Sequence, residues 1–227
     1  MRERETTNQW QPMGTRRVPK RLCAGCGRAD AADSMVRFVH LDGTFVVDGV
    51  FARRAEQSRG LRRGRGVHVH PQRACVARAP RAMARAWKRD GRSLGAELGP
   101  AMVAACESCM EAVLRHARRA RAVVVARGDG QEVVEMLHSN AALWIVPIDA
   151  GPVAMSEEVM REVGAGRAIA WKTRRELGAL VGEKAVALCG VLHSGMANEL
   201  RVLRLAADGG TATTREGAGC SRAPEAR

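Results

Sequence analysis

Two pairs of thiols, a histidine and an arginine-glycine loop have the residue types and spacing to do chemistry. Cys23-Ala24-Gly25-Cys26 is a CxxC whose glycine permits the tight knuckle in which two thiolates face one metal ion. Downstream, His70 and Cys75 fall where a third strand is expected to turn into a helix. A hairpin plus that strand can return them to the knuckle and complete a Cys3His tetrahedron. The cofactor this implies is a structural zinc, and the alternative is a set of small buried thiols with a surface histidine. His68, on the same strand, is expected to point away from the set. The second pair, Cys106-Glu107-Ser108-Cys109, lies inside an expected helix rather than at its start, where the helix dipole would lower a thiol pKa, so packing is its expected role.

The run Arg62-Arg63-Gly64-Arg65-Gly66 suggests chemistry of another kind. Guanidinium groups clamp phosphate oxygens bidentately, and glycines let backbone amides approach an anion closely. With Arg53, Arg54 and Arg59 nearby, the loop is the strongest candidate for phosphate contact; its alternative is a solvated turn that needs glycine before a strand. Lys20 and Arg21 join it from the start of the ordered chain. Arg78, Arg81, Arg85 and Lys88 form a cationic stripe on the expected helix, opposite an apolar face of Val76, Ala79, Met83 and Trp87. Phe38, Phe45 and Phe51 are base-stacking candidates, with core packing the expected role.

Charge distribution supports a polyanionic partner. Residues 1–93 hold 21 Lys+Arg against 8 Asp+Glu, while residues 94–227 hold 16 against 16, so the whole net charge of +13 sits in the first part. Such an excess repels itself in a compact fold, and a polyanion relieves that repulsion. Codon bias towards Arg is the bland alternative, but it would enrich both halves. RNA, structured rather than extended, is the expected partner, with duplex DNA the alternative, because phosphate contacts do not reveal which polymer is read. Catalysis has no visible apparatus: GxSxG, HExxH, GxGxxG and a Walker lysine are all missing, and Gly128-Asp129-Gly130 alone makes no nucleotide loop. A thiol- or metal-dependent enzyme built on the two CxxC pairs is the competing class; we expect a binding protein and no enzyme. No apolar run approaches the ~20 residues that span a bilayer, and the start Met1 to Trp10 lacks the apolar stretch of a secretory signal. A cytoplasmic location with no membrane contact, and reduced thiols, is the expectation.

The elements that must position these residues can be read along the chain. Residues 1–18 have no hydrophobic period and are expected to be a flexible lead-in. Met35 to His40 and Thr44 to Asp48 flank Leu41-Asp42-Gly43, a hairpin signal, and Val67 to His70 is a third strand. Pro71 opens a helix towards Arg92 that Pro80 is expected to kink or divide. Composition changes at Asp90 to Gly95, the expected boundary of two domains. Beyond it we expect helix Leu98 to Ala117, strand Ala122 to Ala126, helix Gln131 to His138, strand Ala142 to Ile148, helix Ser156 to Val163 and strand Ala168 to Trp171. A capping box at Thr173 and Glu176 then opens a helix ending near Val181, followed by strand Lys184 to Leu192 and a last helix after Ser194, ending about residue 205. The fold class expected is a small α+β N-terminal domain over 19–92, with a short antiparallel sheet plus helices, followed by an α/β/α three-layer sandwich over 96–206 and a disordered tail over 207–227.

Taken together, Lys20-Arg21-Leu22-Cys23-Ala24-Gly25-Cys26, the hairpin ending Val46-Val47-Asp48, Gly64-Arg65-Gly66-Val67-His68-Val69-His70-Pro71 and Cys75 resemble the YlxR family in order and spacing over roughly residues 19–90. That resemblance implies a small nucleic-acid-binding domain linked to RNA processing or nucleoid-associated regulation, in contact with the ribosome or with transcription or translation factors. Its basic surface would include Arg21, Arg62, Arg63 and Arg65, with Gly64 and Gly66 shaping the loop. Residues 98–205 resemble the superfamily of archaeal kink-turn-binding ribosomal proteins, most clearly at Lys172-Thr173-Arg174-Arg175-Glu176-Leu177-Gly178, Val181-Gly182 and Ala185 to Leu188. Where RNA-binding members of that superfamily start the second helix with a Gly-Ala-Asn-Glu-like run, this chain has Gly128-Asp129-Gly130-Gln131-Glu132. The resemblance implies recognition of RNA shape, or of a protein.

Overall fold

The computed structural model describes residues 18–41, 44–49, 66–87, 98–128, 132–133, 135, 140–151 and 156–211. The chain is a mixed α/β fold with two small antiparallel sheets and a mixed four-stranded sheet.

Strands β1 (Lys20–Leu22) and β2 (Ala29–Ala31) pair antiparallel around the first thiol pair, with Lys20 opposite Ala31 and Leu22 opposite Ala29. Neither strand was expected, since three largely exposed residues offer no alternation to detect. A 3-10 turn, Ala32–Ser34, leads into β3 (Val36–Leu41), which pairs with β4 (Thr44–Val47) on one side and β5 (Gly66–Val69) on the other. Leu41 stands opposite Thr44, the antiparallel register of the expected hairpin, whose Asp42 and Gly43 lie outside the described residues.

Helix α1 (Arg73–Ala86) buries Val76, Ala79 and Met83 and exposes Arg78, Arg81 and Arg85. It passes through Pro80 as one helix, so of the expected kink or division, the division does not occur. Proline removes one hydrogen bond to the preceding turn, but the buried residues on both sides of Pro80 belong to one apolar face, whose burial keeps the helix continuous. The helix stops at Ala86 rather than Arg92, where the Trp87 amide donates back to Met83 and Arg85. The expected domain boundary lies outside the described residues.

The second half comprises α2 (Leu98–Arg119), β6 (Val123–Ala126), β7 (Leu143–Val146), α3 (Glu157–Gly164), β8 (Ala168–Ala170), α4 (Arg174–Val181), β9 (Leu188–Val191) and α5 (Ser194–Thr211). Of the helix expected over Gln131 to His138, only Glu132, Val133 and Glu135 are described, and they are helical. The sheet order is β6-β9-β7-β8, with β7 and β8 parallel and the other pairs antiparallel. All four β7 residues are buried because both sheet faces are covered. Leu143 and Ile145 join Cys189 and Val191 in one apolar cluster with α2 and α5, whereas Trp144 and Val146 join Leu188, Val133 and Val159 in another. The Ser156 side chain caps α3, and the Thr173–Glu176 capping box is present in both directions.

In the second half, the start of β9 and the end of α5 differ most from expectation. Strand β9 starts at Leu188 rather than Lys184, because the preceding backbone turns tightly against Gly178: Glu183 N–H donates to its carbonyl at 2.8 Å. Helix α5 runs to Thr211, past the expected end and into the expected disordered tail. Ala206, Ala207 and Gly209 are buried, and a Cβ on Gly209 would lie 3.0 Å from Arg73 Cα. Glycine there is a packing residue that seats the end of α5 on the start of α1. Phe38, Val47, Val69, Val76 and Met83 from the first half share one buried cluster with Met102, Met110, Leu114, Leu200 and Leu203 from the second. Among the described residues, no helix is long and apolar enough to cross a membrane.

Candidate metal centre

The β1–β2 hairpin turns over at the first thiol pair. Cys23 N–H donates to Arg28 carbonyl at 2.9 Å, and Gly27 N–H donates to Cys23 carbonyl at 2.8 Å, closing a knuckle that holds Gly27 at φ 75°. Strand β5 runs beside the knuckle, with Ala24 N–H donating to His68 carbonyl at 2.8 Å. His70 follows the end of β5, and Cys75 sits in the first turn of α1. A Cβ on Gly25 would collide with the Cys75 backbone, so only glycine lets the knuckle approach the helix this closely. The local folds of hairpin, strand and helix thereby bring one ligand atom each from Cys23, Cys26, His70 and Cys75 within 4.8 Å of one another. In a tetrahedral zinc site with three sulfurs and one nitrogen, ligand atoms stand roughly 3.3–3.8 Å apart, so the cluster needs only a small contraction to hold a metal ion.

Donor chemistry fits a divalent cation as well as the distances do. Cys23 Sγ accepts from the Gly25 and His70 amides, each at 3.3 Å. Burial alone would raise the Cys26 thiol, but hydrogen bonds from the backbone and side chain of Arg28, then from His70 and Cys23, bring it down to about 6. Cys75 is pushed up to about 12, first by burial and then by the neighbouring Cys23 and Cys26 sulfurs. Crowding of thiolates of this kind is what a bound cation relieves. His70, 6% exposed, places Nδ1 3.4 Å from Cys26 Sγ and 3.9 Å from Cys75 Sγ. Its Nε2 lies 3.3 Å from Asp30 Oδ2. The Asp30 carboxyl sits below its usual value, chiefly through the Ala31 backbone amide, despite some desolvation, with Ser34 and His70 adding to it. Four protein ligands leave no open coordination position, which is the pattern of a structural rather than a catalytic site.

The other candidate residues lie elsewhere in the molecule or outside the described residues. Lys20 and Arg21 are exposed on β1, and Arg78, Arg81 and Arg85 are exposed on α1. Gly66 opens β5, packed so closely beside the Arg37 side chain that a Cβ would clash. Arg53, Arg54, Arg59, Arg62, Arg63, Gly64, Arg65 and Lys88 lie outside the described residues, as do the side chains of Phe45 and Phe51. Phe38 is fully buried in the core. Cys106 and Cys109 are buried on α2, and burial followed by the Glu107 charge pushes Cys106 up to about 12. His68 stays out of the metal cluster. Strand alternation would put residues 68 and 70 on one face, but β5 ends at Val69 and His70 leaves the sheet. The His68 imidazole is held below its usual value by burial, then by the charges of Arg37 and Arg21.

Sequence reasoning missed Asp30 and Arg73. Asp30 comes to His70 only through the unforeseen β1–β2 pairing, so no local signal marked it. Arg73 was legible in principle, since it begins the helix whose later arginines form the stripe. Compared with known proteins, the chain matches no family model, no curated protein and no solved structure.

Proposed function

We propose that this chain is a nucleic-acid-binding protein, with structured RNA as its target, whose basic first half is braced by a structural zinc at Cys23, Cys26, His70 and Cys75. The observation that carries this reading is the exposed row Arg73, Arg78, Arg81 and Arg85 on α1, the helix that supplies Cys75. A metal at Cys75 fixes the start of that helix against the hairpin bearing Lys20 and Arg21, so the cations present as one rigid surface. The charge excess of the first 93 residues supports the same partner. In this reading, residues 19–92 are a YlxR-like unit and the Arg62–Gly66 loop extends its grip on phosphates. Residues 96–206 are a three-layer α/β/α unit, similar to the kink-turn binders, that adds RNA selectivity or a ribosome-linked protein contact. Apolar clusters on both faces of the four-stranded sheet support that layering. The protein acts in the cytoplasm as a binder rather than as an enzyme.

The test is binding of the full chain to structured RNA and to duplex DNA of equal length, across a salt series. Replacing Arg78, Arg81 and Arg85 together by Ala is expected to weaken binding and to flatten the log–log salt slope by about 2–3, at ~0.7–0.9 for each phosphate no longer neutralised. Preference for RNA at roughly 0.2 M salt, where loose electrostatic binding fades, supports the reading. Equal or tighter binding to duplex DNA moves it to a nucleoid-associated regulator, and an unchanged salt slope removes α1 from the interface.

A further inference from the structure

We propose that Asp30 is a positioning residue for the metal centre, whose carboxylate accepts a hydrogen bond from His70 Nε2–H and thereby presents Nδ1 to the metal. This rests on the metal reading above and goes beyond it by assigning the binding nitrogen and a residue outside the ligand set. An imidazole ring, when neutral, carries one N–H and one lone pair; whichever nitrogen donates leaves the other free to bind. Nδ1 faces the sulfurs of Cys26 and Cys75 at 3.4 and 3.9 Å, while Nε2 faces Asp30 Oδ2 at 3.3 Å. An ionised carboxylate only accepts, so the proton belongs on Nε2 and the lone pair points into the thiol cluster.

Asp30 is itself held in place. Its Oδ1 accepts from the Ala31 amide at 2.7 Å, which turns Oδ2 towards His70. The Ser34 hydroxyl donates to the Ala31 carbonyl at 2.8 Å and so ties down the turn that follows Asp30. Strand β2 fixes the backbone of all this, with Asp30 opposite Arg21 across the hairpin. The His70 side chain is 8% exposed and that of Asp30 53% exposed, so the ring is buried and its outer nitrogen reaches solvent through the carboxylate. A metal-bound histidine almost always donates its other N–H to such a partner, which orients the ring and raises its basicity. An incidental surface ion pair requires none of this alignment.

The experiment uses the full chain titrated with zinc against a chromophoric chelator, and with cobalt(II) to read thiolate-to-metal charge-transfer absorption. Wild type is expected to take one equivalent, and Asp30→Ala to bind zinc about 10–100-fold more weakly. Asp30→Asn keeps one acceptor oxygen and is expected to fall between the two. Long-range proton–nitrogen NMR of zinc-loaded wild type is expected to show His70 metallated at Nδ1 with the proton on Nε2, a signature that general destabilisation does not create. Metallation at Nε2, or an Asp30→Ala affinity equal to that of wild type, overturns the proposal and leaves the metal reading standing. Failure of wild type to bind either ion at one equivalent overturns both. The wild-type NMR and the Asp30→Asn titration keep the test decisive even where Asp30→Ala fails to fold.

Discussion

The described cysteines fall into two kinds of surroundings, and their neighbours set their character. Cys23, Cys26 and Cys75 converge with His70 at one point, where hydrogen bonds outweigh burial to bring the Cys26 thiol down to about 6, while burial and the neighbouring sulfurs push Cys75 up to about 12. Cys106 and Cys189 sit among apolar side chains, where burial pushes each up to about 12 and keeps it a neutral thiol. The same substitution therefore reads differently at the two places. Cys75→Ser is expected to abolish stoichiometric zinc uptake and to remove any zinc-dependent rise in melting temperature, since a hydroxyl is a poor zinc ligand. Cys106→Ser is expected to leave zinc uptake intact and to cost about 1–3 kcal/mol of stability, because it buries a hydroxyl in an apolar cluster. Zinc stoichiometry and denaturant melts on the two variants check both. The ligand set was legible because CxxC and a following His and Cys are a spacing with a chemical meaning. Asp30 was not legible, because nothing local distinguishes it from any other surface aspartate.

Short acidic clasps govern how the elements of the second half are joined. Glu162 accepts from Arg167 Nε and Nη2, both at 2.6 Å, closing the connection from α3 to β8. Glu176 caps α4, and Glu183 accepts from Arg127 Nε at 2.9 Å and Nη2 at 2.6 Å, tying the end of α4 to the end of β6. All three carboxyls are held below the ordinary 4.5, led respectively by the Arg167 hydrogen bond, the Thr173 backbone amide and the Arg127 hydrogen bond. A depressed carboxylate contributes stability that is fully present above its unfolded value and is lost as pH falls through its folded value. Thermal stability is therefore expected to hold from neutrality down to about pH 5 and to decline below about pH 4.5, less steeply at high salt because the groups are exposed. Melting temperature across pH 3–7 at two salt concentrations checks this; a flat profile would show that the clasps are not formed in solution. At this scale periodicity and capping signals located most helices and the longer strands. At Pro80 a continuous buried face kept the helix undivided, and the signals failed at β1 and β2, whose formation depends on the knuckle between them.

Helix α5 gives the described residues a common centre. Its buried side chains Met196, Leu200, Leu203 and Ala207 lie in the one apolar cluster that also holds Phe38 and Met83 from the first half and Leu114 from the second. Leu200→Ala is expected to cost about 2–5 kcal/mol and to lower the protection of amides in both β3 and β7 by similar amounts. Hydrogen exchange on the variant measures this, and loss confined to the β7 side would show that the two halves unfold independently. The amino-acid sequence alone determined the charge asymmetry, the Cys3His candidate set, the amphipathic stripe of α1 and the capping box of α4. Each of these rests on composition or on neighbours within a few residues, so local chemistry suffices to read them. Tertiary structure alone decided that β9, the last strand among the described residues, enters the sheet between β6 and β7, that Asp30 meets His70, and that the end of α5 is an ordered helix seated on α1 through Gly209. Those outcomes depend on surfaces brought together from distant parts of the chain, whose burial outweighs the weak local preferences of the segments involved.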